Sequence, residues 1–210
     1  MALDVGNFGS IPAGATAERT FDIYYSTRVF AGGADVPTKI TFFDARTTPA
    51  DPIYSNLQLP SPNTVPIRVI GMKVVHDLLL DPANSGAVTD LSANAMQRTL
   101  DDYSMVRWER ERKGVTGVPL FNLLPYEYFR DGSTLKTHEK QDWTFFKLPK
   151  QQQIDIKPGA RVTFWIDAPA SLKFGVNATA PSYLPYNGLT NQRGHRITFY
   201  LYTQIVQELQ

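Results

Sequence analysis

Residues 196–206 read RITFYLYTQIV, and they carry the clearest strand pattern in the chain. Four of the five side chains at its odd-numbered positions are large and apolar, with Thr203 as the exception, and the even-numbered positions are also substantially apolar. The first set is Ile197, Phe199, Leu201 and Ile205, and the second is Tyr200, Tyr202 and Val206. A strand that is apolar on both faces is usually covered on both, so this one is predicted to lie centrally in a sheet.

The same period-two alternation recurs upstream of this strand. In residues 19–30, Phe21, Ile23, Tyr25 and Val29 fall on one face, which predicts a half-buried strand with that face inward. Further strands are predicted over 39–43, 67–80, 104–113, 143–148, 153–156, 161–167 and around 172–176. Residues 157–160 read KPGA, which suits a type II turn because proline presets φ and glycine supplies a positive φ.

The connections between these strands are long and irregular. Five prolines between residues 47 and 66 prevent a regular ladder there, and residues 91–103 are the one segment that favours a helix. The pattern predicts an all-β fold: a single jelly roll or β-sandwich of about eight strands over 19–210. Residues 1–18 are small and polar and are predicted to be an N-terminal arm that is flexible or ordered by a partner.

The composition excludes several classes of function. The 210 residues carry 21 basic and 20 acidic side chains, so the net charge of +1 gives no field that attracts nucleic acid. Because the chain has no cysteine, disulfides, thiolate catalysis and cysteine-bound metals are all excluded. The start of the sequence has no signal-peptide pattern and no apolar run is long enough to span a bilayer, so we expect the chain to be made and kept in the cytosol, or to be released by a route other than an N-terminal signal.

No motif in the chain points to catalysis. The three histidines, His76, His138 and His195, are far apart and lack metal-ligand spacing. Two carboxylate pairs are visible: Asp101 with Asp102 is interpreted as a polar turn, and Glu109 with Glu111 as part of a solvated strand with cross-strand ion pairs. We therefore expect no enzyme, and no catalytic, metal or cofactor site.

Tyrosines stand beside prolines in segments that read as loops. These are Tyr126, Tyr128, Tyr183 and Tyr186. Tyrosine in a loop can anchor a protein interface or form a platform for a sugar ring, so these four are the candidate contact residues. The alternative is that they cap the ends of a sandwich core.

In general shape the chain resembles the jelly-roll capsid proteins of tailless icosahedral phages, particularly upright single jelly rolls and penton-type subunits, over about residues 19–209. The resemblance implies a capsid subunit located in the virion. Its partners would be copies of itself and other virion proteins, and the genome would be held by other components or lie behind an internal membrane. The charged residues of the arm are Asp4 and Glu18, with Arg19 next to it, so the arm lacks the basic side chains that would bind a genome. It would instead clamp a neighbouring subunit. The alternatives are a carbohydrate- or receptor-binding module of a phage spike or tail, and an enzyme whose carboxylates converge in space.

Overall fold

The computed structural model describes the chain in segments: residues 17–31, 34–45, 54–60, 66–78, 98–110, 114–131, 134–140, 144–172, 174 and 194–208. Strands dominate these segments, and residues 98–103 form a helix, α1. The strands are β1 Ala17–Ala31, β2 Lys39–Phe42, β3 Ile67–Leu78, β4 Met105–Arg110, β5 Gly114–Pro119, β6 Tyr126–Asp131, β7 Thr134–Glu139, β8 Phe146–Lys147, β9 Ile154–Ile156, β10 Val162–Asp167 and β11 Gly194–Glu208.

Two antiparallel sheets make up the body of the described structure. Sheet I has the order β1-β11-β3, and the far side of β3 pairs with both β8 and β9. Sheet II has the order β2-β10-β4-β5. Strand β11 thus lies between β1 and β3, which confirms its predicted central position. A third unit is the two-stranded β6–β7 hairpin, and among the described strands β6 and β7 pair with each other alone.

The strands pair in a nested order: the first and last strands pair with each other, and each further pair lies between them in the sequence. We count β8 and β9 as one strand, because both pair with β3, and treat the β6–β7 hairpin as an insertion. The first strand then pairs with the last (β1 with β11), the second with the next to last (β2 with β10), the third with β8/β9, and β4 with β5.

The two sheets pack face to face, and aromatic rings fill the space between them. The ring of Phe199 on β11 lies 5.4 Å from Phe42, 5.9 Å from Phe43 and 5.9 Å from Phe164, measured between centroids. All four side chains are buried, so Phe199 joins sheet I to the β2 and β10 side of sheet II. The predicted all-β class and the packing of two antiparallel sheets as a sandwich are therefore confirmed.

Some sequence predictions hold and others are wrong. The KPGA turn is confirmed, because Gly159 has φ of 70° and the Ala160 amide donates to the Lys157 carbonyl at 3.0 Å. The helix predicted over 91–103 is found in its described part, 98–103. No strand forms at residues 168–172 or 174, and the strand predicted over 143–148 is reduced to β8. Strand β1 begins at Ala17, so the last two residues of the predicted arm, 17 and 18, belong to it.

Candidate functional site

A buried polar cluster lies where α1 meets sheet I. The Asp101 carboxylate on α1 is 0% exposed and its Oδ1 is 3.5 Å from Nδ1 of His76 on β3. The hydroxyl of Tyr126 on β6 donates to the other oxygen, Oδ2, at 3.0 Å. Asp101 therefore connects three elements, α1, β3 and the β6–β7 hairpin. It was predicted to lie in a polar turn, and that interpretation is wrong.

A second histidine completes the cluster. The ring of His195 on β11 lies 5.7 Å from that of His76 and 4.9 Å from Phe174, between centroids, and it is also buried. In the described residues no three histidine or carboxylate side chains form a group that could hold a metal ion. Because the cluster is enclosed, it contributes to stability and to the position of the hairpin, and a substrate would reach it only after local opening.

The structure describes one of the two carboxylate pairs in full, and its members, Asp101 and Asp102, do not converge. Asp101 points inward to the histidine, whereas Asp102 pairs with Arg98 on the exposed side of α1 at 3.1 Å. Glu109 lies on the outer face of β4, and Glu111 is outside the described residues. The third histidine, His138, is about half exposed and sits 3.8 Å from Glu127 on the hairpin.

The four candidate tyrosines have different outcomes. Tyr126 belongs to strand β6 rather than to a loop, and its hydroxyl binds the Asp101 carboxylate. Tyr128 is also in β6, but its side chain is outside the described part of the structure. Tyr183 and Tyr186 fall wholly outside the described residues. A contact role for Tyr128, Tyr183 and Tyr186 stays a prediction.

A small pocket opens near the ends of β2 and β10. Its volume is about 200 Å³, and its lining includes Asp44, Pro60 and Arg161. Pockets that enclose small-molecule ligands usually measure about 300–1,000 Å³. This pocket is therefore a surface depression that lacks the size of a ligand site.

The outer face of sheet I exposes large apolar side chains. Phe21 and Ile23 of β1 are 55% and 52% exposed, although this face was predicted to be the buried one. Tyr24 and Phe30 of β1 pack against the core instead, and Ser26 between them is fully buried, with its Oγ accepting a hydrogen bond from the Phe43 amide at 3.0 Å. The strand was predicted correctly, but its orientation was wrong.

Aromatic rings continue this face across the sheet. Tyr25 lies 6.5 Å from Tyr200 on β11, and Phe145 stacks on Tyr202 at 4.2 Å with 16° between the ring planes. Gly71 leaves room for the Phe145 ring, because a Cβ at this position would lie 2.1 Å from the ring. We call the following residues the outer patch: Phe21, Ile23, Tyr25, Phe145, Tyr200 and Tyr202.

The free edge of β1 is covered along its middle. Residues 54–56 run beside it: the Thr27 amide donates to the Tyr54 carbonyl at 2.6 Å, and the Asn56 amide donates to the Tyr25 carbonyl at 3.3 Å. The Asn56 side chain accepts from the Tyr25 amide at 2.7 Å and donates to the Ile23 carbonyl at 3.0 Å. These bonds occupy the groups with which another strand would pair.

The outer face of sheet II is different in character. The Asp167 carboxylate forms an ion pair with Arg107 and accepts a hydrogen bond from Trp165 Nε1 at 2.7 Å. The Lys39 ammonium lies 4.2 Å from the centre of the Trp165 ring. Charged groups and their partners therefore cover this face, and the strongly exposed apolar residue described on it is Val115, on edge strand β5.

No helix in the described residues has the length and apolarity needed to cross a membrane. No protein-family model, curated protein or solved structure matches the chain. The features that bear on function are therefore the strand order and the outer faces of the two sheets.

Proposed function

We propose that the chain is a structural subunit that self-assembles into a viral capsid shell, as a major capsid or penton-type protein, and that its two sheets form a single jelly roll. The observation that carries the proposal is the nested strand order, first with last and inward to β4 with β5. A jelly roll is this arrangement of two Greek keys, and it is an architecture that viral capsid proteins use.

The lengths of the connections support the same proposal. The β4–β5 and β9–β10 connections are short and lie at the end of sheet II where Val162 pairs with Arg110. The connections that enter β4 and leave β10, residues 79–104 and 168–193, lie at the opposite end, where Asp167 pairs with Met105, and each is much longer. The connection between β2 and β3, residues 43–66, is also long but leaves the first end, near where Phe42 pairs with Phe164. With its longer connections at the ends of the strands, the sandwich leaves its sides free to meet neighbouring subunits.

The mass of the chain in solution tests the proposal. We expect trimers, pentamers, rings or shells when the purified chain is followed by mass photometry and negative-stain imaging over a concentration series. A strict monomer at the highest concentration would contradict self-assembly.

A carbohydrate- or receptor-binding module is the second candidate, because lectin domains share the jelly-roll architecture. The observation that favours it is the pair of tyrosine rings, Tyr25 and Tyr200, on an accessible sheet face. This candidate predicts saturable glycan binding that is lost in Tyr25→Ala, and also in Tyr183→Ala or Tyr186→Ala if the loop tyrosines take part. A glycan array probed with a monomeric chain would separate it from the capsid proposal.

A further inference from the structure

We propose that the outer patch of sheet I is the surface through which two copies of this chain bind each other, with Phe21 and Ile23 as its anchors. The inference rests on the proposed self-assembly and adds the contact that assembly buries. Exposed apolar side chains that form a continuous patch, rather than standing singly, mark interaction surfaces. The anchors here are neighbours on one strand, and the rings of β11 continue the patch.

The outer faces of the two sheets differ in polarity, and the difference favours sheet I as the interface. On sheet II, Arg107, Asp167 and Lys39 partner one another or the Trp165 ring, so covering that face would remove satisfied charges from water. Sheet I also carries an exposed ion pair, Arg68 with Asp155, but this pair lies on β3 and β9, away from edge strand β1. Covering Phe21 and Ile23 on β1 therefore removes mainly apolar surface from water. The hydrophobic contribution therefore favours burial of sheet I.

The size of the face suits a second copy. The β3–β11 ladder runs over eleven paired positions, from His195 with Leu78 to Ile205 with Ile67. Three strands of this length cover roughly 35 Å by 15 Å, or about 500 Å², from strand rise and spacing. Stable interfaces bury on the order of 800 Å² per partner, so the sheet face with its rim approaches that size.

A two-fold contact needs the same patch to be complementary to itself, and an apolar, ring-bearing surface meets that condition without matching charges. Packing face to face is favoured over adding a strand at the edge. The reason is that Asn56 and the segment beside it occupy the hydrogen-bonding groups of β1 between Ile23 and Thr27. The second copy therefore lies on the face of the sheet.

Matched lysine substitutions test the inference. Ile23→Lys and Val115→Lys make similar changes at 52% and 50% exposed positions, each on the edge strand of its sheet, but on different sheets. We expect Ile23→Lys, and separately Phe21→Lys, to weaken self-association by about thirtyfold or more, the loss that follows removal of one interface anchor. Val115→Lys should associate like the unmodified chain, and circular dichroism should show all three variants folded.

The outcomes separate the two proposals. If the unmodified chain assembles and both Ile23→Lys and Phe21→Lys assemble equally well, the outer patch is not the interface, while self-assembly stands. If the unmodified chain stays monomeric, both proposals fail.

Hydroxyl-radical footprinting of the unmodified chain gives an answer that needs no variant. Assembly should protect Phe21 and Tyr25, whereas Tyr103, 75% exposed on α1, should remain labelled. Equal labelling of Phe21 and Tyr25 in monomer and assembly would overturn the inference.

Discussion

Removing the hydroxyl of Tyr126 should cost the protein a measurable part of its stability. The hydroxyl donates to the Asp101 carboxylate at 3.0 Å, and that carboxylate is 0% exposed. Water therefore cannot replace the lost donor without opening the cluster. A hydrogen bond to a charged group contributes about 1.5–3 kcal/mol, so we expect Tyr126→Phe to lower the free energy of unfolding by about 2 kcal/mol. For a chain of this length that corresponds to a fall in Tm of about 4–8 °C.

The assay is urea unfolding followed by circular dichroism at low protein concentration, because self-association would raise the apparent stability. Tyr103→Phe is the matched control: its ring is exposed, so removal of its hydroxyl should change the free energy of unfolding by less than about 0.5 kcal/mol. A double-mutant cycle with Asp101→Asn should give a coupling of at least about 1 kcal/mol. If Tyr126→Phe changes the free energy of unfolding no more than Tyr103→Phe does, or if the double-mutant cycle is additive, the Tyr126–Asp101 hydrogen bond does not stabilise the fold.

Three further predictions concern sheet I. Gly71→Ala should displace the Phe145 ring, with a loss of about 1 kcal/mol that urea unfolding detects; full stability would show that the ring does not need the space. Phe199→Ala should lower the free energy of unfolding by about 3–5 kcal/mol, since the ring contacts three phenylalanines between the sheets; a loss below 1 kcal/mol would contradict that packing. Burial and the neighbouring Tyr200 raise the pKa of Tyr202 above its ordinary value, so its contribution is complete below the pKa of the unfolded chain and is lost as pH rises through the folded-state pKa. Above about pH 10, Tyr202→Phe should therefore lose less stability than the unmodified chain, and equal losses would count against the shift.

The parts of the fold that depend on local pattern could be predicted from the sequence. Strand β11 is apolar on both faces and is central in sheet I, and the turn at 157–160 follows from the backbone preferences of Pro158 and Gly159. Strand β5 was missed because GVTGVP contains two glycines and a proline, which are depleted in strands, and its two valines stand three positions apart instead of alternating.

The parts that depend on tertiary contacts could not be predicted. Alternation divides β1 into two sets of residues but does not say which set faces the core. Ser26 is fully buried because it binds the Phe43 amide, a partner 17 positions away, while the more apolar Phe21 and Ile23 point outward. Asp101 is buried for the same kind of reason: its partners, His76 and Tyr126, are each 25 positions away in sequence. Without the fold, neither pairing has a local signal.

The pairing of β1 with β11 determines when the protein can fold during its synthesis. Ala17 pairs with Glu208 and Ala31 with Gly194, so the edge strand of sheet I forms its ladder with a strand made more than 160 residues later. At ribosomal rates of about 5–20 residues per second, β1 waits roughly 10–40 s for that ladder. Tyr200 and Tyr202 are made with β11, so a chain terminated before residue 194 carries Phe21, Ile23 and Tyr25 without the two β11 tyrosines of the outer patch. The complete outer patch therefore forms only in chains that have been translated through β11.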